Sequence, residues 1–277
     1  MKIAIQGIKG SYHDVAVQKH FGQDVELLEC DSFRQIFKHL KQGEADYGVL
    51  AIENSLVGSI LPNYALLRES MYRIIGEVYL RITHHLLASH KQDISEIDEV
   101  RSHPMALRQC AEFFLDHPHI KLVEDVDTAA SARDLAARPT AGKAVIASAQ
   151  AANIYQMETL AKGIETYADN FTRFLVIAQK GTNGQVNYSK GKASICFNLA
   201  HEKGLLAKVL TIIANHDINL SKVQSMPMKE KAWEYFFYLD MEFSDQEKLR
   251  SAIHKIKPFA NQLKILGIYP CAEVKPI

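Results

Sequence analysis

The chain has little of several features that mark specialised protein classes. Its 32 basic and 32 acidic side chains cancel, so no net charge attracts it to nucleic acid or to a membrane surface. Its four cysteines are far apart and form no Cys-x-x-Cys pair, which argues against a zinc site or a disulfide framework. No stretch approaches the length of a membrane span, and the N-terminus is too short and polar for a signal peptide. These absences predict a cytoplasmic protein.

Common catalytic signatures are also missing. No His, Cys, Asp and Glu grouping has metal-ligand spacing, and the chain lacks a Gly-x-Ser-x-Gly elbow and a Walker loop. The turn at 7–10 has only Gly-x-x-Gly, although Glu29 and Asp31 follow about 20 residues later, so a nicotinamide site is disfavoured. His84 and His85 lie inside an apolar run, where histidines are more often packed than catalytic. Because the net charge is zero, any anionic ligand must be held by local donors rather than by a field of the whole protein.

The length of 277 residues points to two domains, at a typical ~150 residues per domain. Residues 180–192 contain three Gly, two Asn and few apolar side chains, a composition typical of a linker. We therefore predict a first domain over 1–180 and a second over 193–271. In the first, short apolar runs alternate with helices predicted at 13–21, 32–40, 104–115, 128–137 and 148–155. This α/β alternation predicts parallel sheets in two lobes, joined by an apolar segment at 74–89 and separated by a cleft.

The order of patterns changes after the linker. Strands are predicted at 193–200, 218–226, 233–241 and 263–269, and helices at 204–215 and 245–256, the latter capped by Asp245. The order βαββαβ within about 80 residues predicts a ferredoxin-like domain. Because this fold hosts many functions, it says little about activity on its own.

Polar side chains follow three predicted strands of the first domain, where ligands of α/β proteins usually bind. In the first group, at 7–13, Gly10 allows close backbone approach, and the Ser11 hydroxyl and nearby amides can face an anion. The alternative, that Ser11 caps the next helix, is compatible with binding. Both interpretations place an anion-facing turn after the first strand.

The second group, Glu53, Asn54 and Ser55, follows a buried strand, where polar side chains are costly unless they are paired or face a cleft. Helix capping by Asn54 or Ser55 is the alternative, but it explains only one of the three.

The third group is Ser102, at a strand end before Pro104, together with Gln109 on the following helix. Its local features favour Ser102 as a helix cap. Asp127 and Thr128 form a similar strand-to-helix junction.

Near the end of the first domain, Thr172, Arg173 and Phe174 place a hydroxyl, a guanidinium and an aromatic ring side by side. Threonine can donate a hydrogen bond, arginine can hold a carboxylate through two parallel bonds, and phenylalanine can pack the segment down. A Thr-Arg pair at a strand start is more often an ordinary surface feature without a function. The case for a functional site at 172–174 therefore depends on the other polar groups of the chain.

Together these motifs resemble the prephenate dehydratase family with a C-terminal ACT regulatory domain, over nearly the whole chain. Residues 7–12 resemble the family's Gly-Pro-x-Gly-Thr-Phe, and 52–55 match its Ile-Glu-Asn-Ser. Residues 102–110 are similar to Ser-His-Pro-Gln…Gln-Cys, and 170–174 to the catalytic Asn-x-Thr-Arg-Phe. Each motif is weak alone, and their shared order and spacing carry the resemblance.

The resemblance implies a lyase that converts prephenate to phenylpyruvate, with loss of CO2 and the ring hydroxyl, on the route to phenylalanine. Hydroxide is a poor leaving group, so Thr172 would protonate or hydrogen-bond it as it departs. Aromatisation supplies the driving force, and no metal or other cofactor is implied. The implied catalytic residues are Glu53, Asn54, Thr172 and Arg173, and the implied substrate-binding residues are Gly10, Ser11, Tyr12, Ser55, Ser102, Gln109, Thr128 and Phe174. The family's catalytic domain also resembles two-lobed periplasmic binding proteins.

The second domain resembles ACT domains at 204–206, 218–220 and 233–237. Because ACT domains usually pair side by side and form effector sites at their interface, this implies phenylalanine as effector and a homodimer or homotetramer. The implied effector-binding residues are Gly204, Leu205, Leu206, Asn219, Leu220, Gln224, Ser225, Met226 and Pro227.

The chain departs from the family pattern in two places. His13 stands where the family usually has Ser or Thr, so substrate contacts there are expected to differ or to become pH-sensitive. The family's Glu-Ser-Arg-Pro is Gln-Ser-Met-Pro at 224–227, so the effector site has lost both charges.

Two alternative functions remain open at this point. Arogenate, the amino analogue of prephenate, could undergo the same chemistry, and no residue decides between the two substrates. A non-catalytic amino-acid sensor would have the same two domains. The intact Thr172-Arg173-Phe174 argues against the sensor, because binding alone does not require that hydroxyl.

Overall fold

The structure, a computed structural model, describes residues 1–181, 190–228 and 233–272. The chain forms two compact units, one from Met1–Gly58 and Tyr79–Phe174 and the other from Ser59–Val78 and Leu175–Ile277. Contacts thus group 59–78 with the second unit, although the sequence assigned these residues to the first domain. Most of the predicted linker, 182–189, lies outside the described residues, and the domain boundaries stay a prediction.

The described elements alternate along the chain much as the hydrophobic pattern predicts. The strands are β1 (Lys2–Gln6), β2 (Glu26–Cys30), β3 (Tyr47–Asn54), β4 (Gly58–Ser59), β5 (Arg73–Arg81), β6 (His85–Ala88), β7 (Glu99–Ser102), β8 (Lys121–Glu124), β9 (Lys143–Ala147), β10 (Glu158–Lys162), β11 (Phe171–Ala178), β12 (Gly191–Leu199), β13 (Asn219–Pro227), β14 (Tyr235–Phe243) and β15 (Ala260–Pro270). The helices are α1 (Tyr12–Phe21), α2 (Phe33–Gln42), α3 (Leu61–Glu69), α4 (Pro104–Gln109), α5 (Ala111–Leu115), α6 (Thr128–Ala137), α7 (Ala149–Ile154), α8 (Leu205–Ala214) and α9 (Gln246–Ile256). A short 3-10 helix spans Ile94–Glu96.

The first lobe of the first unit is built on the strand order β11-β3-β1-β2. β1 runs parallel to both β2 and β3, which confirms the predicted parallel sheet. Ile3 and Ile5 of β1 are fully buried, as are Val49 and Ile52 of β3. The carboxyl ends of these strands therefore carry the turn at 7–11 and the Glu53–Ser55 group at one edge of the sheet.

The second lobe has a five-stranded sheet in the order β10-β6-β9-β7-β8. β7 is parallel to β8 and β9, but β6 is antiparallel to β9 and β10, so an all-parallel sheet is wrong for this lobe. The reason is connectivity, because the chain enters the lobe at His85 and leaves it at Lys162, which pair with each other. Leu86 and Leu87 pack into separate cores on the two faces, which explains the continuous apolar run.

Two local predictions in the second lobe are wrong. The helix predicted at 104–115 is two helices, α4 and α5, which meet at Cys110 (φ −107°, ψ 13°). The cap of α4 is His103, whose Nδ1 accepts from the Met105 amide at 3.1 Å. Ser102 does not cap it, because its hydroxyl donates to the Ile146 carbonyl on β9.

The described part of the second unit contains the predicted βαββαβ order in the sheet β13-β14-β12-β15, in which each strand is antiparallel to its neighbours. One face packs on α8 and α9 around buried Ile195, Phe197, Val209 and Leu249. Asp245 caps α9 as predicted, since its carboxylate accepts from the Glu247 amide. This confirms the ferredoxin-like arrangement.

β15 also meets the part of β5 that belongs to the same unit, at the pair formed by Gly267 and Ile74. A Cβ on Gly267 would lie 2.2 Å from the Ile74 carbonyl oxygen, so only glycine fits there. None of the helices in the described ranges combines the length and the apolar character needed to cross a bilayer.

Candidate active site

The strongest candidate for chemistry is the hydrogen-bonded group around Thr172. The Oδ1 atom of Asn54 accepts from the amides of Leu56 (3.0 Å) and Val57 (3.1 Å). These donors fix the amide orientation, so Nδ2 donates to Asn170 Oδ1 at 2.7 Å and to Thr172 Oγ1 at 3.0 Å. Because Asn54 already donates to the Thr172 oxygen, the hydroxyl hydrogen of Thr172 must point elsewhere.

Ser55 joins the two strands that carry this group. Its hydroxyl donates to the Asp169 carbonyl (3.0 Å) and accepts from the Phe171 amide (2.9 Å). Its own amide donates to the Phe171 carbonyl at 2.8 Å. Neither Asn54 nor Ser55 caps a helix, so the capping alternative is wrong. A role of Ser55 in substrate binding stays a prediction.

The three consecutive residues of β11 do not share one direction. Side chains alternate along a strand, so Thr172 and Phe174 lie on one face and Arg173 on the other. The guanidinium carbon of Arg173 lies 5.9 Å from the Tyr79 ring centroid, and only 4% of the residue is exposed. The side chains of Thr172 and Arg173 therefore lie on opposite sides of the sheet. Glu53, at the end of β3, likewise alternates in direction with Asn54.

The opening turn uses its polar groups within the protein. The Gly10 amide, predicted to face an anion, donates to the Asp14 carboxylate at 2.8 Å. The Ser11 hydroxyl caps α1 by accepting from the Asp14 amide at 3.3 Å, which confirms the capping alternative. Gly10 has φ +90°, and a Cβ there would lie 3.1 Å from the Ala151 Cα of the second lobe. Glycine is needed there for both reasons.

The same turn contacts the second lobe through two side chains that the sequence analysis did not select. Ser148, the cap of α7, donates to the Gly10 carbonyl at 2.7 Å, and the Tyr155 hydroxyl donates to the Lys9 carbonyl at 2.7 Å. Both partners lie more than a hundred positions away in the sequence, so no local pattern could have indicated them.

Ser102 lies at the carboxyl end of β7, and Asp127 and Thr128 follow the neighbouring strand β8. Ser102 is fully buried, and Thr128 is the first residue of α6. Asp127 caps α6 by accepting from the Ala130 amide at 2.9 Å, and burial raises the pKa of its carboxyl. Its other oxygen lies 3.1 Å from where a Cβ on Gly7 would be, so Asp127 contacts the opening turn of the other lobe.

Tyr12 and Gln109, from different lobes, contact the same residue. The Tyr12 hydroxyl lies 2.9 Å from His84 Nδ1, and Gln109 Oε1 lies 2.9 Å from His84 Nε2. His84 is packed, as predicted, but the apolar run around it gave no sign of these polar contacts. Residues 1–181, 190–228 and 233–272 bring no three His, Cys, Asp or Glu side chains together as metal ligands.

His13 points inward, away from the expected substrate contact. Its Nε2 accepts from the Ala51 amide of β3 at 3.2 Å. Its ring packs edge-to-face on Phe174, with centroids 5.0 Å apart, and against Phe33 at 5.5 Å. Burial lowers the pKa of His13 from 6.5 to about 3. The neutral ring is therefore a structural contact between α1 and the strands β3 and β11.

His13 should make folding stability fall with acidification. The unfolded chain binds a proton near pH 6.5 and the folded chain only near pH 3, so stability declines as pH falls through this window. At pH 4.5 the loss relative to pH 7 is about 2–3 kcal/mol. We measure the free energy of unfolding by urea at pH 7 and at pH 4.5. Between these pH values, we expect it to fall by about 2–3 kcal/mol less in His13→Phe than in the parent. The same change at exposed His90 should leave the pH dependence unaltered, and an equal effect at both positions contradicts the prediction.

The predicted effector residues lie in two parts of the second unit. Gly204 has φ +80° and precedes Leu205 and Leu206 at the start of α8. The others lie on β13, where Asn219 donates to Glu242 at 3.2 Å and Gln224 Oε1 accepts from the Ser59 hydroxyl at 2.8 Å. Met226 is 9% exposed. β12 leads to Gly204, and β13 carries the other predicted effector residues. Within one chain, β14 lies between these two strands.

Comparisons with known proteins agree with this architecture. The prephenate dehydratase family model matches residues 3–182, and the ACT domain model matches residues 197–258. Arogenate dehydratase/prephenate dehydratase 2 of Arabidopsis thaliana, a chloroplastic protein, is 36% identical over 284 residues, which cover 98% of this chain and 73% of the relative.

Two solved structures share the whole fold. The prephenate dehydratase of Arthrobacter aurescens in complex with L-Phe has a TM-score of 0.89 and 25% identity, and the match covers 100% of this chain and 92% of that one. GqqA, described as a novel type of quorum quenching acylase, has a TM-score of 0.88 and 27% identity over 98% of both chains. The chain belongs to the prephenate dehydratase family and carries an ACT domain at its C-terminal side.

Proposed function

We propose that this protein is a prephenate dehydratase in which Thr172 acts on the departing hydroxyl group. The single observation that carries the assignment of Thr172 is the 3.0 Å hydrogen bond from Asn54 Nδ2 to Thr172 Oγ1. That bond occupies the oxygen and leaves the hydroxyl hydrogen for the substrate. It also stabilises negative charge that develops on the oxygen as the proton is shared.

The reaction balances without an external oxidant or reductant. The ring C–O bond breaks, and the hydroxide that leaves takes a proton through Thr172 and becomes water. The C–C bond to the ring carboxylate breaks as well, CO2 departs, and the bonding electrons enter the ring. The ring becomes aromatic, and phenylpyruvate is released. A threonine hydroxyl is a weak acid, so proton delivery is concerted with C–O cleavage in a preorganised site.

The substrate carries two carboxylates, which need donors on both sides of the cleft. We assign their binding to the polar groups of the two lobes and the binding of the ring to nearby aromatic side chains. The residues assigned to substrate binding are Gly10, Ser11, Tyr12, Ser55, Ser102, Gln109, Thr128 and Phe174. Glu53 and Arg173 are assigned to catalysis together with Asn54 and Thr172, from the opposite faces of their strands. The occupied amide of Gly10 makes the side chains, rather than this turn's backbone, the principal donors.

Turnover of prephenate by the purified protein tests the function directly. We expect phenylpyruvate to form from prephenate, measured by its absorbance in alkali and by mass spectrometry of the product. Arogenate is the second substrate, because the Arabidopsis relative's name includes both reactions. Formation of phenylalanine from arogenate, with no product from prephenate, would keep the mechanism and change the substrate. No turnover of either, with amino-acid binding intact, would identify a sensor.

Acylase activity is the other function suggested by a similar structure. An acylase needs a base beside its nucleophile to activate it. The Thr172 oxygen instead accepts from the neutral amide of Asn54, a contact that suits a proton donor. Incubation with an N-acyl amide substrate distinguishes the two reactions, and we expect no release of the acyl group.

We further propose that phenylalanine binds the second unit as a feedback inhibitor, in a cytoplasmic homodimer or homotetramer. L-phenylalanine at about 100 times its Kd should stabilise the protein by about 2.7 kcal/mol. We expect a raised melting temperature and a lower turnover rate, with D-phenylalanine as the control ligand. The variant Gln224→Glu with Met226→Arg restores the family's two charges and should respond at lower concentrations. If L-phenylalanine changes neither the melting temperature nor the turnover rate, the proposal is refuted.

A further inference from the structure

His84 lies where the two lobes of the first unit are connected. The chain passes from the first lobe to the second between β5 and β6, at 82–84, and returns between β10 and β11, at 163–170. The His84 amide donates to the Glu165 carboxylate at 2.8 Å, and its carbonyl accepts from the Ile164 amide at 3.0 Å. The backbone of His84 therefore joins both connections.

The side chain of His84 extends this contact to both lobes. Nδ1 lies 2.9 Å from the hydroxyl of Tyr12, on α1 of the first lobe. Nε2 lies 2.9 Å from Oε1 of Gln109, on α4 of the second lobe. His84 is 2% exposed, and its ring packs edge-to-face on the Tyr12 ring, with centroids 5.6 Å apart. One buried imidazole thus contacts two residues assigned above to substrate binding.

The pattern of donors and acceptors gives these contacts a direction. With Gln109 Oε1 as the acceptor, Nε2 carries the ring proton. Burial lowers the pKa of His84, so the ring is neutral and Nδ1 accepts from the Tyr12 hydroxyl. That hydroxyl also reaches the Thr83 carbonyl at 2.8 Å, and the two acceptors share its hydrogen. Because Oε1 of Gln109 is held by His84, the NH2 group of Gln109 is turned away from His84.

We propose that His84 is a positioning residue that holds Tyr12 and Gln109 in place for the substrate across the connection between the lobes. The inference rests on the proposed function, since it concerns how the same site binds its substrate. Substrate-binding groups act in the ground state as well as in the transition state, so their misplacement raises KM more than it lowers kcat. Loss of the two buried hydrogen bonds should raise KM roughly 10- to 100-fold.

His84→Phe keeps an aromatic ring of similar size and removes both hydrogen bonds. We expect it to raise KM for prephenate as stated, with a smaller change in kcat. His84→Gln can keep a donor near the Nε2 position and should fall between His84→Phe and the parent. His85→Phe is the matched control, because His85 is adjacent and half-buried, and its ring accepts a long hydrogen bond of 3.3 Å from the Gly163 amide.

A double-mutant cycle tests whether His84 acts through Gln109. If it does, His84→Phe in a Gln109→Ala background should raise KM clearly less than the product of the two single effects. Equal KM changes in His84→Phe and His85→Phe would overturn the proposal, and so would independent effects of His84 and Gln109. Melting temperatures are measured for every variant, and if His84→Phe does not fold, His84→Gln provides the comparison.

A spectroscopic readout separates this proposal from the proposed function. In long-range 1H–15N spectra of 15N-histidine-labelled protein, His84 should show a protonated Nε2 and an unprotonated Nδ1. Gln109→Ala should shift the Nε2 resonance, whereas His85→Phe should leave it unchanged. If the wild type is inactive but shows this signature, the dehydratase function is refuted, while the contacts of His84 with Tyr12 and Gln109 are supported. An active wild type without it would refute the positioning role alone.

Discussion

We expect Thr172→Val to lower kcat for prephenate by roughly 10²- to 10⁴-fold, the range that a positioned proton donor contributes. Valine has almost the same shape as threonine, so the change removes the hydroxyl and leaves the packing of β11. Thr172→Ser keeps a hydroxyl within reach of Asn54 and should retain much more activity. Because the hydroxyl acts on the departing group in the transition state, KM should change little. Steady-state assays of phenylpyruvate formation give both constants.

The stability of the Thr172→Val variant must be measured beside its activity. In the variant, the Asn54 amide hydrogen that bonded Thr172 can still bond the Phe171 carbonyl, which lies 3.2 Å from Asn54 Nδ2. The free energy of unfolding should therefore fall by only about 1 kcal/mol. Thr140→Val is the matched control, since Thr140 is exposed and its hydroxyl donates to the nearby Arg138 carbonyl at 3.0 Å. More than a tenth of the parent kcat in folded Thr172→Val would contradict Thr172 as the donor.

Predictions from the sequence succeeded where the signal is local. The helix predicted at 128–137 is observed as Thr128–Ala137, because a capping carboxylate and an apolar repeat both lie within the segment. The βαββαβ order of the second unit was found for the same reason. By contrast, nothing local indicates that β6 runs antiparallel or that α3 groups with the second unit, since connectivity and long-range packing decide both.

The candidate site divides in the same way. Sequence reasoning found polar residues at strand ends, and the structure places Asn54, Ser55 and Thr172 in one hydrogen-bonded group. It could not assign their partners. The Gly10 amide is taken by Asp14 and the Ser102 hydroxyl by Ile146, because competing acceptors become visible only when the chain is folded. The apolar sequence around His84 gave no indication of its polar contacts, because its ring contacts residues 72 and 25 positions away.

Lys192→Met should destabilise the protein by about 3–5 kcal/mol, the cost of leaving a buried charge without its partner. Lys192 lies on β12 and Glu77 on β5, within the second unit, and their charged atoms are 2.9 Å apart. The two side chains are 2% and 0% exposed, and Glu242 lies 3.5 Å from the same ammonium group. Removal of the cation leaves the Glu77 carboxylate buried without the ammonium group, although the Ala272 amide still donates to it at 3.1 Å. Urea unfolding followed by circular dichroism measures the loss.

A second substitution separates the cost of the charge from the cost of the packing. In Glu77→Gln with Lys192→Met, no buried carboxylate remains at position 77, so most of the lost stability should return. The Lys248 and Asp217 pair is the surface control, because both side chains are largely exposed, and Lys248→Met should leave the stability nearly unchanged. If the double variant is as unstable as Lys192→Met, the lysine stabilises the sheet through its packing. Recovery of stability instead means that the Glu77 carboxylate is costly to bury without the Lys192 ammonium group beside it.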